Sequence, residues 1–91
     1  MSAQMPEPSF LAIVQIHQIQ AMLHLGLLPE PESGETIPVD LSRARFEIEL
    51  LNILRDKTSG QLDAEEQQLL GEVIESLEHA FLLRQQGGGQ G

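Results

Sequence analysis

The sequence predicts an all-α domain of three helices, the second and third forming an antiparallel hairpin with the first packed across it. Three observations carry this expectation. Apolar residues recur at helical spacing in three separate stretches, and none alternates with the period of two that a strand requires. Residues suited to helix ends bracket the stretches, with Ser9, Asp40 and Asp63 at starts and Gly26 and Gly60 at stops. A chain of 91 residues, 41% of them hydrophobic, has room for one small domain and its core.

Residues 1–8, with Pro6 and Pro8, read as a flexible lead, and 9–84 as the helical domain. The Ser9 hydroxyl can accept from a free N–H of the first turn, so the first helix is expected from about Phe10 to about Leu25, stopped by Gly26. At about 100° per residue, Ala12, Ile16, Ile19 and Leu23 form one apolar stripe. Phe10, Val14, Ala21 and Leu25 form another on a nearly opposite side. His17, Gln20 and His24 lie between them around Ile13, while Gln15 and Gln18 flank Leu11 and Met22. A helix with two apolar faces needs two partners.

A loop over about 26–39 follows, built on Pro29-Glu30-Pro31-Glu32-Ser33-Gly34-Glu35 and closed by Pro38. Asp40 is placed to cap a second helix, about Leu41 to Ser59. Leu41, Ala44, Ile48 and Leu51 make its first stripe, and Phe46, Leu50, Ile53 and Leu54 fall on roughly the other side. Arg43–Glu47 and Arg45–Glu49 are spaced as i,i+4 pairs. Arg55 and Lys57 complement the negative end of the helix dipole.

Asp63 and Glu66 form a capping-box pair for the third helix, whose inward face is expected at Leu70, Val73, Leu77, Ala80 and Phe81, supported by Leu69 and Ile74. Glu72, Glu75 and Glu78 take its wet side. The short Gly60–Leu62 connection favours the hairpin. The three phenylalanines, Phe10, Phe46 and Phe81, fall one per helix, as a shared core would use them. Residues 85–91, rich in glycine, read as a flexible tail.

The stretch Val39-Asp40-Leu41, Ala44, Ile48-Glu49-Leu50-Leu51-Asn52-Ile53-Leu54 and Lys57-Thr58-Ser59-Gly60-Gln61-Leu62 resembles a bacterial family known as domain of unknown function 1844. Leu25-Gly26 matches that family's Leu-Gly helix end, and Glu65-Glu66 with Leu69-Leu70 its Glu-rich last helix. The turn holding Lys57, Thr58, Gly60 and Leu62 is the most specific part. Glu49 and Gln61 stand where the family prefers Asp and Asn, and its last turn is only loosely echoed by Phe81 and Arg84. The resemblance implies a small helical protein and supplies no catalytic residues.

Charge and composition narrow the chemistry. With 5 Lys+Arg against 14 Asp+Glu the formal charge is −9, contrary to the basic surface that nucleic-acid binding requires. The acids gather in residues 30–40 and in the third helix, and residues 10–25 carry no Lys, Arg, Asp or Glu. With no Cys, thiolate catalysis and zinc–thiolate sites are excluded. The apolar run Phe10–Leu28 contains Gln15, His17, Gln18, Gln20 and His24, a poor fit to hydrocarbon, and no Lys or Arg precedes it as a signal peptide would want. A cytoplasmic protein without membrane attachment is therefore expected.

No set of residues reads as a catalytic, metal or cofactor site. His17 and His24 share a face but lie seven apart, beyond the i,i+3 or i,i+4 spacing with which one helix chelates a metal. Glu72, Glu75 and His79 lack the Glu-x-x-His pattern of di-iron bundles, since Ser76 stands three before His79. The Asp63 stretch lacks the glycine and the final carboxylate of a calcium loop. No serine sits in a nucleophile elbow, and Lys57-Thr58 reads as a helix end before it reads as a phosphate contact.

The expected function is non-enzymatic: a helical interaction module that self-associates, as a homodimer, with a further protein partner also open. One of the two stripes of the first helix would cross the two-fold axis, either Ala12, Ile16, Ile19 and Leu23 or Phe10, Val14, Ala21 and Leu25. The alternative is a small regulator that takes a metal or ligand at His17, His24 and nearby carboxylates.

Overall fold

A computed structural model describes residues 7–88, which form three helices and no strand: α1 (Phe10–His24), α2 (Leu41–Lys57) and α3 (Ala64–Gly88). Residues 1–6 of the expected lead and 89–91 of the expected tail lie outside the described residues. α3 runs four residues past Arg84, taking in part of what the sequence reads as tail. Each added helical residue gains a hydrogen bond, so a glycine costing about 1 kcal/mol weakens a long helix without stopping it at once.

All three helix starts are capped by the expected side chains. The Ala12 amide donates to Ser9 Oγ at 3.0 Å and the Arg43 amide to Asp40 Oδ1 at 3.1 Å. Ahead of α3 the capping box is complete: the Glu66 amide donates to Asp63 Oδ1 at 2.8 Å, and the Asp63 amide to Glu66 Oε1 at 3.0 Å.

The ends are as specific. Past α1 the Leu27 amide donates to Met22 O at 2.9 Å and the Gly26 amide to Leu23 O at 3.1 Å, the two bonds of a Schellman cap. That cap needs a left-handed residue, and Gly26 supplies it at φ 75°. After α2 the Thr58 hydroxyl donates to Leu54 O at 2.7 Å, and the Gln61 amide closes a turn on Thr58 O at 2.8 Å around Gly60, φ 83°.

The core is drawn from all three helices: Val14, Ala21 and Leu25; Ala44, Ile48 and Leu51; Leu70, Val73, Ile74 and Leu77. Phe10, Leu62 and Phe81 pack against its rim. Phe46 does not join it and is 51% exposed. It lies on the far side of α2 from Ala44, Ile48 and Leu51, with the Arg43 guanidinium 5.6 Å from its ring centre. The expectation of one core phenylalanine per helix therefore holds for two.

Contacts between α2 and α3 run in opposite senses along the chain. Arg45 stacks over Phe81 at 5.7 Å, and further along α2 the Asn52 amide reaches back to Glu78 at 3.4 Å. α1 contacts both other helices. The shortest dimension of the molecule is 16 Å. Two helices with axes about 8–10 Å apart already have that depth, so each helix keeps a face at the surface.

Candidate functional site

The surface that stands out is the outer face of α1. Val14, Ala21 and Leu25 are fully buried against α2 and α3, and Phe10 packs at the edge of that core. On the other side Ile13, Ile16 and Ile19 are exposed at 43%, 50% and 46%. The two-stripe pattern thus has one internal and one external solution. Of Phe10, Val14, Ala21 and Leu25, candidates for the interface on sequence, the last three are buried in the protein's own core and Phe10 packs half-buried against it. Of the other stripe, Ile16 and Ile19 are free, Leu23 is half-buried and Ala12 is buried. Ile13, on the flank with His17, Gln20 and His24, lies on the rim of the open face.

α2 has an outward apolar face too. Phe46 and Ile53 are exposed there and Leu50 is half-buried. The signal lies in the second stripe of α2, where Phe46 and Ile53 stay exposed among the described residues.

Beside the α1 face lies a polar contact that sequence spacing did not reveal. His17 Nδ1 is 2.7 Å from Glu47 Oε1 on α2, and Glu47, at 5% exposed, is the one buried charged residue among those described. The expected Arg43–Glu47 pair is therefore absent: Glu47 turns under α1 while Arg43 lies over Phe46. Its neighbour does form, Arg45 meeting Glu49 at 3.6 Å. Glu47 falls with Ala44, Ile48 and Leu51 on the i, i+3, i+4, i+7 pattern of the inner face, which is the signal that would have placed it.

His24 is directed elsewhere. Its Nδ1 is buried with no hydrogen-bond partner among the described residues, and its carbonyl accepts from the Asp40 amide at 2.9 Å. The Arg43 amide and the Ser42 hydroxyl hold the Asp40 carboxyl below the usual carboxylate range, and His24 nearby pushes the same way. The fold sets the two imidazoles apart: His17 bonds Glu47 on α2, and His24 is tied to Asp40 through its backbone carbonyl alone. Among the described residues no three His, Asp or Glu side chains gather as a metal would need. Glu72, Glu75 and His79 all point outward on α3.

The motif turn is occupied by structure. Thr58 closes α2, Gly60 supplies the positive φ, Leu62 packs on the core and Lys57 is exposed. A groove of about 320 Å³ between α2 and α3 is lined by Arg45, Ile48, Glu49, Asn52, Glu78, Phe81, Leu82 and Gln85. No described helix is long and apolar enough to cross a membrane.

A family model described as Domain of unknown function (DUF1844) matches residues 7–83, from just before α1 to within the last turns of α3. The chain belongs to that family. No curated protein is significantly similar to it. No solved structure is either.

Proposed function

We propose that this member of the DUF1844 family is a non-enzymatic interaction module that pairs with a second copy of itself through the outer face of α1. The observation that supports the reading is the exposure of Ile13, Ile16 and Ile19 on one side of a helix without Lys, Arg, Asp or Glu. Scattered exposed apolar residues are ordinary; a row of β-branched residues along one helix without Lys, Arg, Asp or Glu is a surface that a second copy would take out of water.

Charge favours a second copy as the occupant. Two chains of −9 repel wherever α3 or the 30–40 loop faces its like, and least where α1 faces α1. A fold only 16 Å deep leaves that face uncovered. Light scattering on the purified chain at tens of micromolar tests the reading. A dimer that Ile16→Glu with Ile19→Glu converts to a folded monomer supports it; a wild-type monomer ends it.

A further inference from the structure

We infer that the two copies pair with their α1 helices antiparallel, about a two-fold axis passing between Ile16 and Ile19. This rests on the self-association proposed above and adds the direction and centre of the contact. Ala12, Ile16, Ile19 and Leu23 are separated by steps of four, three and four, the spacing of a coiled-coil seam, with Ala12 buried and Leu23 half-buried at its two ends. The exposed pair Ile16 and Ile19 lies at its middle. Antiparallel pairing there sets Ile16 of each copy against Ile19 of the other.

The direction follows from where the charge sits. The acidic loop is fixed at the C-terminal end of α1, because it leaves through the Gly26 cap and returns with the Asp40 amide bonded to His24 O at 2.9 Å. Glu30, Glu32, Glu35 and Asp40 are all exposed and no base lies among them. Before α1 the sole charged side chain is Glu7. A parallel pair would set two such loops side by side, together with the negative ends of both helix dipoles. An antiparallel pair separates the loops by about 22 Å, the length of a 15-residue helix, well beyond the ~8 Å range of charge interactions at physiological salt. It also brings each acidic loop to the positive dipole end of the other α1.

Nitroxide labels on single cysteines read the direction directly, since the chain has no cysteine of its own. Glu7→Cys and Glu32→Cys are exposed positions on either side of α1 whose side chains make no hydrogen bond or ion pair among the described residues. Labelled singly, each is expected to give intermolecular distances beyond about 20 Å, and a mixture of the two to add a distinctly shorter population. Short distances in the single variants, with none shorter in the mixture, overturn the antiparallel arrangement while leaving the dimer standing. A monomer by light scattering under the same conditions removes both.

Discussion

His17 Nδ1 on α1 and Glu47 Oε1 on α2 lie 2.7 Å apart, with the carboxylate buried and the imidazole one-third exposed. The partners are therefore unequal. If His17 is removed, a buried carboxyl group loses the hydrogen-bond partner it has among the described residues. If both are replaced by apolar residues, nothing is left unpaired. His17→Ala is expected to lower unfolding free energy by about 1–3 kcal/mol. The double variant His17→Leu with Glu47→Met should lie closer to wild type than His17→Ala does. Urea unfolding followed by circular dichroism compares the three.

The two sides of α1 should respond differently to truncation. Leu25→Ala opens a cavity in a fully buried position and should cost about 2–5 kcal/mol. Ile16→Ala, at a half-exposed position, should cost well under that in the monomer and weaken self-association instead. Thermal melting and light scattering on the same samples separate the effects.

Gly26 and Gly60 share a left-handed backbone but not their surroundings. A Cβ at Gly60 meets nothing within 4 Å, so Gly60→Ala should show conformational strain alone, about 1–2 kcal/mol. A Cβ at Gly26 would lie 3.1 Å from Val39 Cγ2 and 3.4 Å from the Arg84 guanidinium, whose Nη2 also donates to Gly26 O at 3.4 Å. Gly26→Ala should therefore be the more destabilising of the two in a denaturant melt.

Asp40 ties α2 to pH. Its carboxyl is held low by the Arg43 amide and the Ser42 hydroxyl, so the folded state binds its proton less readily than the unfolded chain does. Its contribution is present above the unfolded carboxylate range near pH 3.9 and fades as pH falls through the lower folded value. Asp40→Asn keeps a capping oxygen but cannot titrate. The stability difference between wild type and Asp40→Asn, read by thermal melts, should shrink between pH 5 and pH 2.

Helix number, starts and stops were legible because they depend on local chemistry. Ser9, Asp40 and the Asp63–Glu66 box act within three or four residues of themselves, and Gly26 and Gly60 through their own backbone. Which apolar stripe of α1 faces inward was not legible, since Ile16 and Val14 are equally apolar and only the placement of α2 and α3 distinguishes them. Glu47 differs from its expected pairing for a related reason: i,i+4 spacing offers a local partner in Arg43, while the residue that bonds it is 30 positions away. The turn after α2 closes on itself, with the Thr58 hydroxyl on Leu54 O and the Gln61 amide on Thr58 O around the positive φ of Gly60.

The bond from the Asp40 amide to His24 O has one more consequence. With its two ends joined there, the intervening segment is a handle on the molecule, and its own turn, the Gly34 amide on Glu30 O and the Glu30 amide on Glu35 O, is closed within itself. Lengthening such a segment adds only about 0.6 kcal/mol of closure entropy per doubling. It is the place to splice in a tag or a protease site: cleavage there would yield α1 as one fragment and the α2–α3 pair as another, for reassembly in the test tube.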